Sequence, residues 1–194
     1  MPFEDCALYM SVPEAVVIDP VDYAQINCLT KKLAASGKFS YMRMIRKGFT
    51  TVYADGSDFE IGKGVTLHDG KDVTIVAVGM MVQMALKAAG ILSAEGISAR
   101  VLDFHTIKPL DQELLLAAAK ETGAIVTSEE HNVIGGLGAA VAEFLSENCP
   151  VPIIRHGVND QFGRSGKADQ VLAAYGLTPE VLADKARQAI AKKG

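Results

Sequence analysis

The stretch Lys71-Asp-Val-Thr-Ile-Val-Ala-Val-Gly79 decides the fold. From Val73 to Val78 the residues are almost all apolar and mostly β-branched, which is how a strand buried on both faces of a parallel sheet reads. Gly79 turns the chain into a Met- and Ala-rich helix from Met80 to about Ala94, whose Met80, Met81 and Met84 are core packing. The same grammar then repeats. Ala99–Phe104 is the next strand. It leads through Ile107-Lys-Pro-Leu to Asp111, a helix N-cap with Glu113 in the first turn, and a helix to about Thr122. Ala124–Glu129 is a third strand, followed by a glycine loop and a helix from about Leu137 to Glu147; Pro152–Arg155 is a fourth. Thr178-Pro179-Glu180 opens a closing helix with Lys185, Arg187, Lys192 and Lys193 late in it. Repeated β-α units predict a three-layer α/β/α sandwich around a mostly parallel sheet with right-handed crossovers.

A shorter block precedes it. Glu14–Asp19 holds a β-branched run, a buried-strand candidate, and Asp19-Pro20 reads as an N-cap with proline at the first helical position. The helix would run from Val21 to Ala35 and stop near Ser36-Gly37, with Phe39–Arg46 as a second strand. One β-α-β unit cannot stand alone, so what should cover its sheet is expected outside this chain; an exposed apolar edge around Val16–Ile18 and Tyr41–Ile45 would favour a piece of a larger assembly over an autonomous module, which should have covered it. A turn-rich stretch from Gly48 to Gly70 separates the blocks.

Composition narrows the class. The 194 residues are 49% hydrophobic and 22% charged, ordinary soluble usage with enough apolar material for a sizeable core. A net charge of -4 excludes a strongly basic nucleic-acid binder, and no apolar run approaches the roughly 18 residues of a membrane span. Cys6, Cys28 and Cys149 are scattered and odd in number, and His68, His105, His131 and His156 show no zinc-hydrolase spacing. A reduced, cytoplasmic protein without structural zinc is the expectation.

Four places could carry chemistry. The turn Ile134-Gly-Gly-Leu-Gly-Ala-Ala140 lies between strand and helix, where glycines let an anion approach helix N–H groups. Its pattern departs from the dinucleotide fingerprint at Val141, and close helix–sheet packing explains the glycines equally well. Glu129-Glu-His131 lies at a strand's carboxyl end; acid–base work would need one group desolvated or paired, and a charged loop is the preferred reading. Asp103 and His105 could converge on that edge. Arg43 and Arg46, followed by Lys47, sit near a strand end, where a guanidinium can clamp a phosphate or simply face water.

Read in order, the motifs resemble the C-terminal half of transketolases, above all those encoded as two subunits. They are Phe3-Glu-Asp-Cys-Ala-Leu8, Val17-Ile-Asp-Pro-Val-Asp22, Tyr41-Met-Arg-Met-Ile-Arg46, Ile107-Lys-Pro-Leu-Asp111, Glu129-Glu-His-Asn-Val-Ile-Gly-Gly-Leu-Gly138 and Asp160-Gln-Phe-Gly-Arg-Ser-Gly166, with Tyr175-Gly-Leu-Thr178 in the same pattern. Deoxyxylulose-phosphate synthases and 2-oxoacid dehydrogenase β subunits are similar, but the latter carry a proline-rich segment where this chain has Asn159–Gly163. The resemblance implies a last β-α-β of a pyrimidine-binding domain over residues 1–47, a linker over 48–70, and a transketolase C-terminal domain of about five strands over 71–194.

It also implies what should lie elsewhere. In the family the glutamate that activates the thiamine aminopyrimidine, its stacking aromatic and a substrate histidine precede the segment matching Met1, and the diphosphate and Mg²⁺ ligands belong to another domain. Without that glutamate no ylid forms, so this polypeptide alone should bind no thiamine diphosphate and transfer no ketol unit. Arg46 aligns with the arginine that contacts the sugar phosphate. An N-terminal subunit or upstream region, joined in a dimer or α2β2 assembly, is the partner implied. The competing expectation is an interaction or regulatory module that kept this fold and lost catalysis.

Overall fold

In a computed structural model, which describes residues 2–44 and 50–193, the chain opens with α1 (Asp5–Met10), β1 (Val16–Ile18), α2 (Tyr23–Ser36) and β2 (Ser40–Met42). There follow β3 (Val65–His68), β4 (Val73–Ala77), α3 (Met81–Ala94), β5 (Ala99–Asp103), β6 (Thr106–Lys108), α4 (Gln112–Thr122) and β7 (Ile125–Asn132). The rest is α5 (Leu137–Asn148), β8 (Ile153–Val158), α6 (Ala168–Ala174) and α7 (Pro179–Ile190). Five strands form the main sheet in the order β3-β5-β4-β7-β8, parallel except for the edge strand β3.

Alternation along β4 explains the three layers, because successive side chains leave a strand on opposite faces. Val73, Ile75 and Ala77 join the core built with Val82, Ala85 and Leu92 of α3 and Leu182, Ala183 and Ala186 of α7. Val76, with the following Val78, joins the other core with Leu115 of α4 and Leu137, Val141 and Leu145 of α5. Both faces are dry, which is why the strand reads as a continuous apolar run.

The N-terminal block differs from its sequence reading in three respects. First, α2 is capped by Asp22 and not by Asp19. Asp22 Oδ1 accepts from Gln25 N–H at 3.1 Å, while its Oδ2 accepts from the N–H groups of Val52 and Tyr53 at 2.8 Å each. Three donors converge there, and Asp19 turns inward to an arginine instead. Second, the edge of β1 is not exposed. β1 pairs in parallel with β2 on one side and antiparallel with β6 on the other, so a strand from the second block closes it. Val16 and Ile18 pack on Leu29 and Leu33 of α2 with Phe59, and Val17 reaches the core under α4 and α5. Third, β2 is short, and Ile45 to Phe49 lie outside the described residues.

Elsewhere β7 continues past Glu129 to Asn132, and α1, β3, β6 and α6 are additions to the elements legible in the sequence. Among the described residues no helix is long and apolar enough to cross a membrane. Because Asp22 serves α2 and the 52–53 backbone together, Asp22→Ala should lower the unfolding free energy by about 2–4 kcal/mol in urea titration, with Asp22→Asn falling between variant and parent. A loss under about 0.5 kcal/mol would mean those three N–H groups find water without penalty.

Candidate functional site: a buried carboxylate cluster

Arg46, the expected phosphate ligand, lies outside the described residues. Its neighbour Arg43 is 3% exposed and faces inward from the end of β2. Arg43 Nε donates to Asp5 Oδ2 at 3.0 Å, one Nη donates to the Pro2 carbonyl at 3.1 Å, and the other lies 3.6 Å from Asp19 Oδ2. Tyr41 O–H donates to the same Asp5 oxygen at 2.6 Å. Burial pushes the Asp19 carboxyl up to about 6, against the pull of Arg43. The guanidinium is thus an internal tie between α1, β1 and β2, not a clamp open to a ligand.

Glu129, Glu130 and His131 form part of β7 and not a charged loop. Glu129 and His131 are each 1% exposed. Glu129 Oε2 and Oε1 accept the N–H groups of Leu137 and Gly138 at 2.8 Å each, so the first turn of α5 already holds an anion supplied by the chain itself. Gly136 is needed for this: a Cβ there would stand 2.0 Å from Glu129 Oε2. Gly79, before α3, is in the same position with respect to Asp19, whose Oδ1 would lie 2.4 Å from a Cβ. The glycines therefore serve the approach of internal carboxylates, and nucleotide binding at 135–138 is excluded by the group that fills the turn.

Asp103 and His105 enter a separate network. Asp103 Oδ2 accepts from Gln25 Nε2 at 2.6 Å and from the Tyr53 hydroxyl at 2.7 Å, and burial pushes its carboxyl up to about 7. His105 Nδ1 meets Thr106 Oγ1 at 3.0 Å, and burial pulls its imidazole down to about 4. Neither bonds to Glu129 or His131. Asp5, Asp19, Asp22, Gln25, Tyr41 and Tyr53 are the residues that sequence reasoning gave no chemistry; the motifs Phe3–Leu8, Val17–Asp22 and Tyr41–Arg46 contained four of them.

A cleft of about 470 Å³ opens beside the cluster, floored by Phe3, Met80 and Leu177 and edged by Glu130 and the 163–166 loop. Arg164 lies 5.6 Å over the Tyr175 ring, and among the described residues Glu130 Oε2 is buried without a hydrogen-bond partner. Glu129 fills the 135–138 turn, so no diphosphate can enter there, and the cleft presents both the Glu130 carboxylate and Arg164.

Comparison with known proteins defines the class. The "Transketolase, C-terminal domain" family matches residues 62–182, and the chain belongs to that family. It is 42% identical over 193 residues to a 6-deoxy-6-sulfo-D-fructose transketolase subunit of Clostridium sp. strain MSTE9, covering 100% of this chain and 60% of the relative. It is 41% identical over 189 residues to an apulose-4-phosphate transketolase subunit of Phocaeicola vulgatus, covering 97% of this chain and 60% of that relative. Among solved structures, a split-gene transketolase described as an inactive β4 tetramer superposes with TM-score 0.97 at 46% identity, over 100% of this chain and 64% of that one. The chain thus spans about 60% of the length of the curated relatives named. Its sheet and helices are those of the transketolase C-terminal domain.

Two outcomes test this internal chemistry. Gly136→Ala drives a methyl group into Glu129 and should cost about 3 kcal/mol or more, read by denaturant unfolding. The second concerns pH. Asp19, Asp103, Glu129 and Glu130 all have folded values raised by burial to about 6 or 7. A raised carboxyl contributes stability below its unfolded value and loses it as pH climbs through the folded value. His105, lowered to about 4, contributes above its ordinary value and loses that contribution as pH falls. Unfolding free energy should therefore decline from about pH 5 to pH 8, with a shallower slope in Asp103→Asn; a rise over that window would contradict the assignment.

Proposed function

We propose that this chain is the C-terminal part of a split transketolase, a thiamine-diphosphate enzyme that moves a two-carbon ketol unit between phosphorylated sugars in the cytoplasm. The observation that carries the reading is its superposition on a split-gene transketolase chain at TM-score 0.97 over its whole length. Its role is assembly: it joins an N-terminal subunit or upstream region, in a dimer or α2β2 complex, and by itself binds no thiamine diphosphate. Leu8, Phe39, Met44, Ile134 and Phe162 are large apolar side chains held in water, as an assembly surface would be before its partner arrives. Arg46 contributes the sugar-phosphate contact. Residues 1–47 act as the end of a pyrimidine-binding domain and 71–194 as the C-terminal domain.

A second reading is favoured by one observation: 1-deoxy-D-xylulose-5-phosphate synthase of Heliobacterium modesticaldum is 38% identical over 188 residues, 29% of its length. Ketol-donor and pyruvate assays of the assembled enzyme separate the two.

Calorimetric titration of the isolated chain with thiamine diphosphate and Mg²⁺ should give dilution heat alone. Saturable heat would overturn the division of labour. In the assembled enzyme, Arg46→Ala should raise KM for phosphorylated sugars by about 10–100-fold while leaving KM for an unphosphorylated donor unchanged. Equal effects on both would remove Arg46 from the phosphate site.

A further inference from the structure

Asp5, Cys6 and His131 bring one oxygen, one sulfur and one nitrogen to within 4.8 Å of one another, and all three residues are buried. Two of these atoms, Asp5 Oδ1 and His131 Nε2, are acceptors that face each other. His131 Nδ1 lies 2.7 Å from the Asn132 carbonyl, and a carbonyl oxygen only accepts, so Nδ1 carries the proton and Nε2 presents its lone pair. Opposite it, 4.0 Å away, stands Asp5 Oδ1, buried and without a hydrogen-bond partner among the described residues. Among the described residues the donors beside them are the Cys6 thiol, which gives up its proton on binding a metal ion, and Ala7 N–H, at a long 3.4 Å from Nε2. Two lone pairs pointed at each other across a dry gap repel unless something positive lies between them.

The groups behind these atoms are arranged as supports. Asp5 Oδ2 is fixed by Arg43 Nε and the Tyr41 hydroxyl, which turns Oδ1 towards the gap. The Asn132 carbonyl fixes the imidazole in the tautomer a metal ion needs. Such outer hydrogen bonds, on the non-ligating atom of each ligand, are the usual companions of a metal site. A divalent ion held by one carboxylate, one neutral imidazole and a thiolate that has released its proton forms a neutral unit, one charge more positive than the same three groups without the ion.

We infer that Asp5 Oδ1, Cys6 Sγ and His131 Nε2 form a binding site for a divalent cation of the zinc class, pinning α1 to the end of β7. The mixed O, S, N donor set suits zinc and cobalt, and disfavours the harder magnesium and calcium. Binding exchanges the Cys6 thiol proton, released to solvent, for the metal–sulfur bond, with no change of oxidation state. Cysteine spacing gives no sign of such a site, because the ligands come from sequence positions too far apart to form a motif.

The test uses the full chain in a Cys28→Ser, Cys149→Ser background, so that Cys6 is the sole thiol. After chelator treatment, equilibrium dialysis against Zn²⁺ should load one ion per chain and raise Tm. Co²⁺ should give a thiolate-to-metal charge-transfer band in the near-ultraviolet. Cys6→Ser should abolish that band and weaken binding by at least ~10-fold while the circular dichroism stays that of the parent. His131→Gln is the second variant and should weaken binding to the same degree. No stoichiometric uptake, a cobalt complex lacking the thiolate band, or a band that survives Cys6→Ser would each overturn the site.

Discussion

The buried guanidinium of Arg43 is the interaction on which the N-terminal half depends. It leaves the end of β2, binds the first turn of α1 through Asp5 and the Pro2 carbonyl, and faces Asp19 where β1 ends. Its backbone N–H meanwhile donates to the Ile18 carbonyl at 2.8 Å, continuing the β1–β2 ladder for one more bond. A charge this deep is tolerated only when its donors are matched by acceptors in good geometry, and removing one member of such a set costs about 3–5 kcal/mol because the others stay buried. Two carboxylates and a carbonyl supply that match. The short elements α1, β1 and β2 are thereby fixed to one another and to the main sheet.

The same economy recurs where strands hand over to helices. Proteins of this architecture often place external anions at the glycine turns on the carboxyl edge of the sheet, where helix N–H groups converge. Here both turns are closed from inside, Gly79 by Asp19 and Gly136 by Glu129. The carboxylate at α5 satisfies helix N–H groups that would otherwise need water, and it does so in the dry layer between sheet and helix. Burial in turn raises the proton affinity of both groups, so each favours the folded domain more at mildly acid pH than above neutrality.

The layered fold was legible because the signals that encode it are local. The apolar run at Val73–Val78, the Asp111 cap and the Thr178-Pro179-Glu180 start each lie within one element, and each appears in the structure where periodicity and capping put it. The site was much less legible. Glu129 at the end of an apolar strand looks the same in sequence whether it faces water or a helix terminus; only the position of Leu137 and Gly138 in space decides. Asp19 and Asp22 illustrate the same limit over three residues. Asp-Pro has the form of a cap, yet Asp22 wins because Val52 and Tyr53, thirty residues on, direct their N–H groups at it. β6 was missed for a similar reason, since three residues carry no period and its partner β1 lies in the other block.

That strand bears on what the N-terminal block is for. A β-α-β unit with no cover should shed its apolar sheet into aggregation or a partner. β6 answers part of that need by pairing with β1, and Val17 extends the main core into the small sheet, while β2 stays its outer strand among the described residues. The two blocks therefore share strands and side chains rather than meeting at a polar seam. Among the described residues, features open to a partner include the outer edge of β2, Phe39 beside Tyr9 at 6.0 Å between ring centroids, Phe162 presented on the 160–167 loop, and the cleft above Glu130. An assembly built on these would dock against a preformed, internally tied surface, so association should cost little ordering of this chain beyond the side chains themselves.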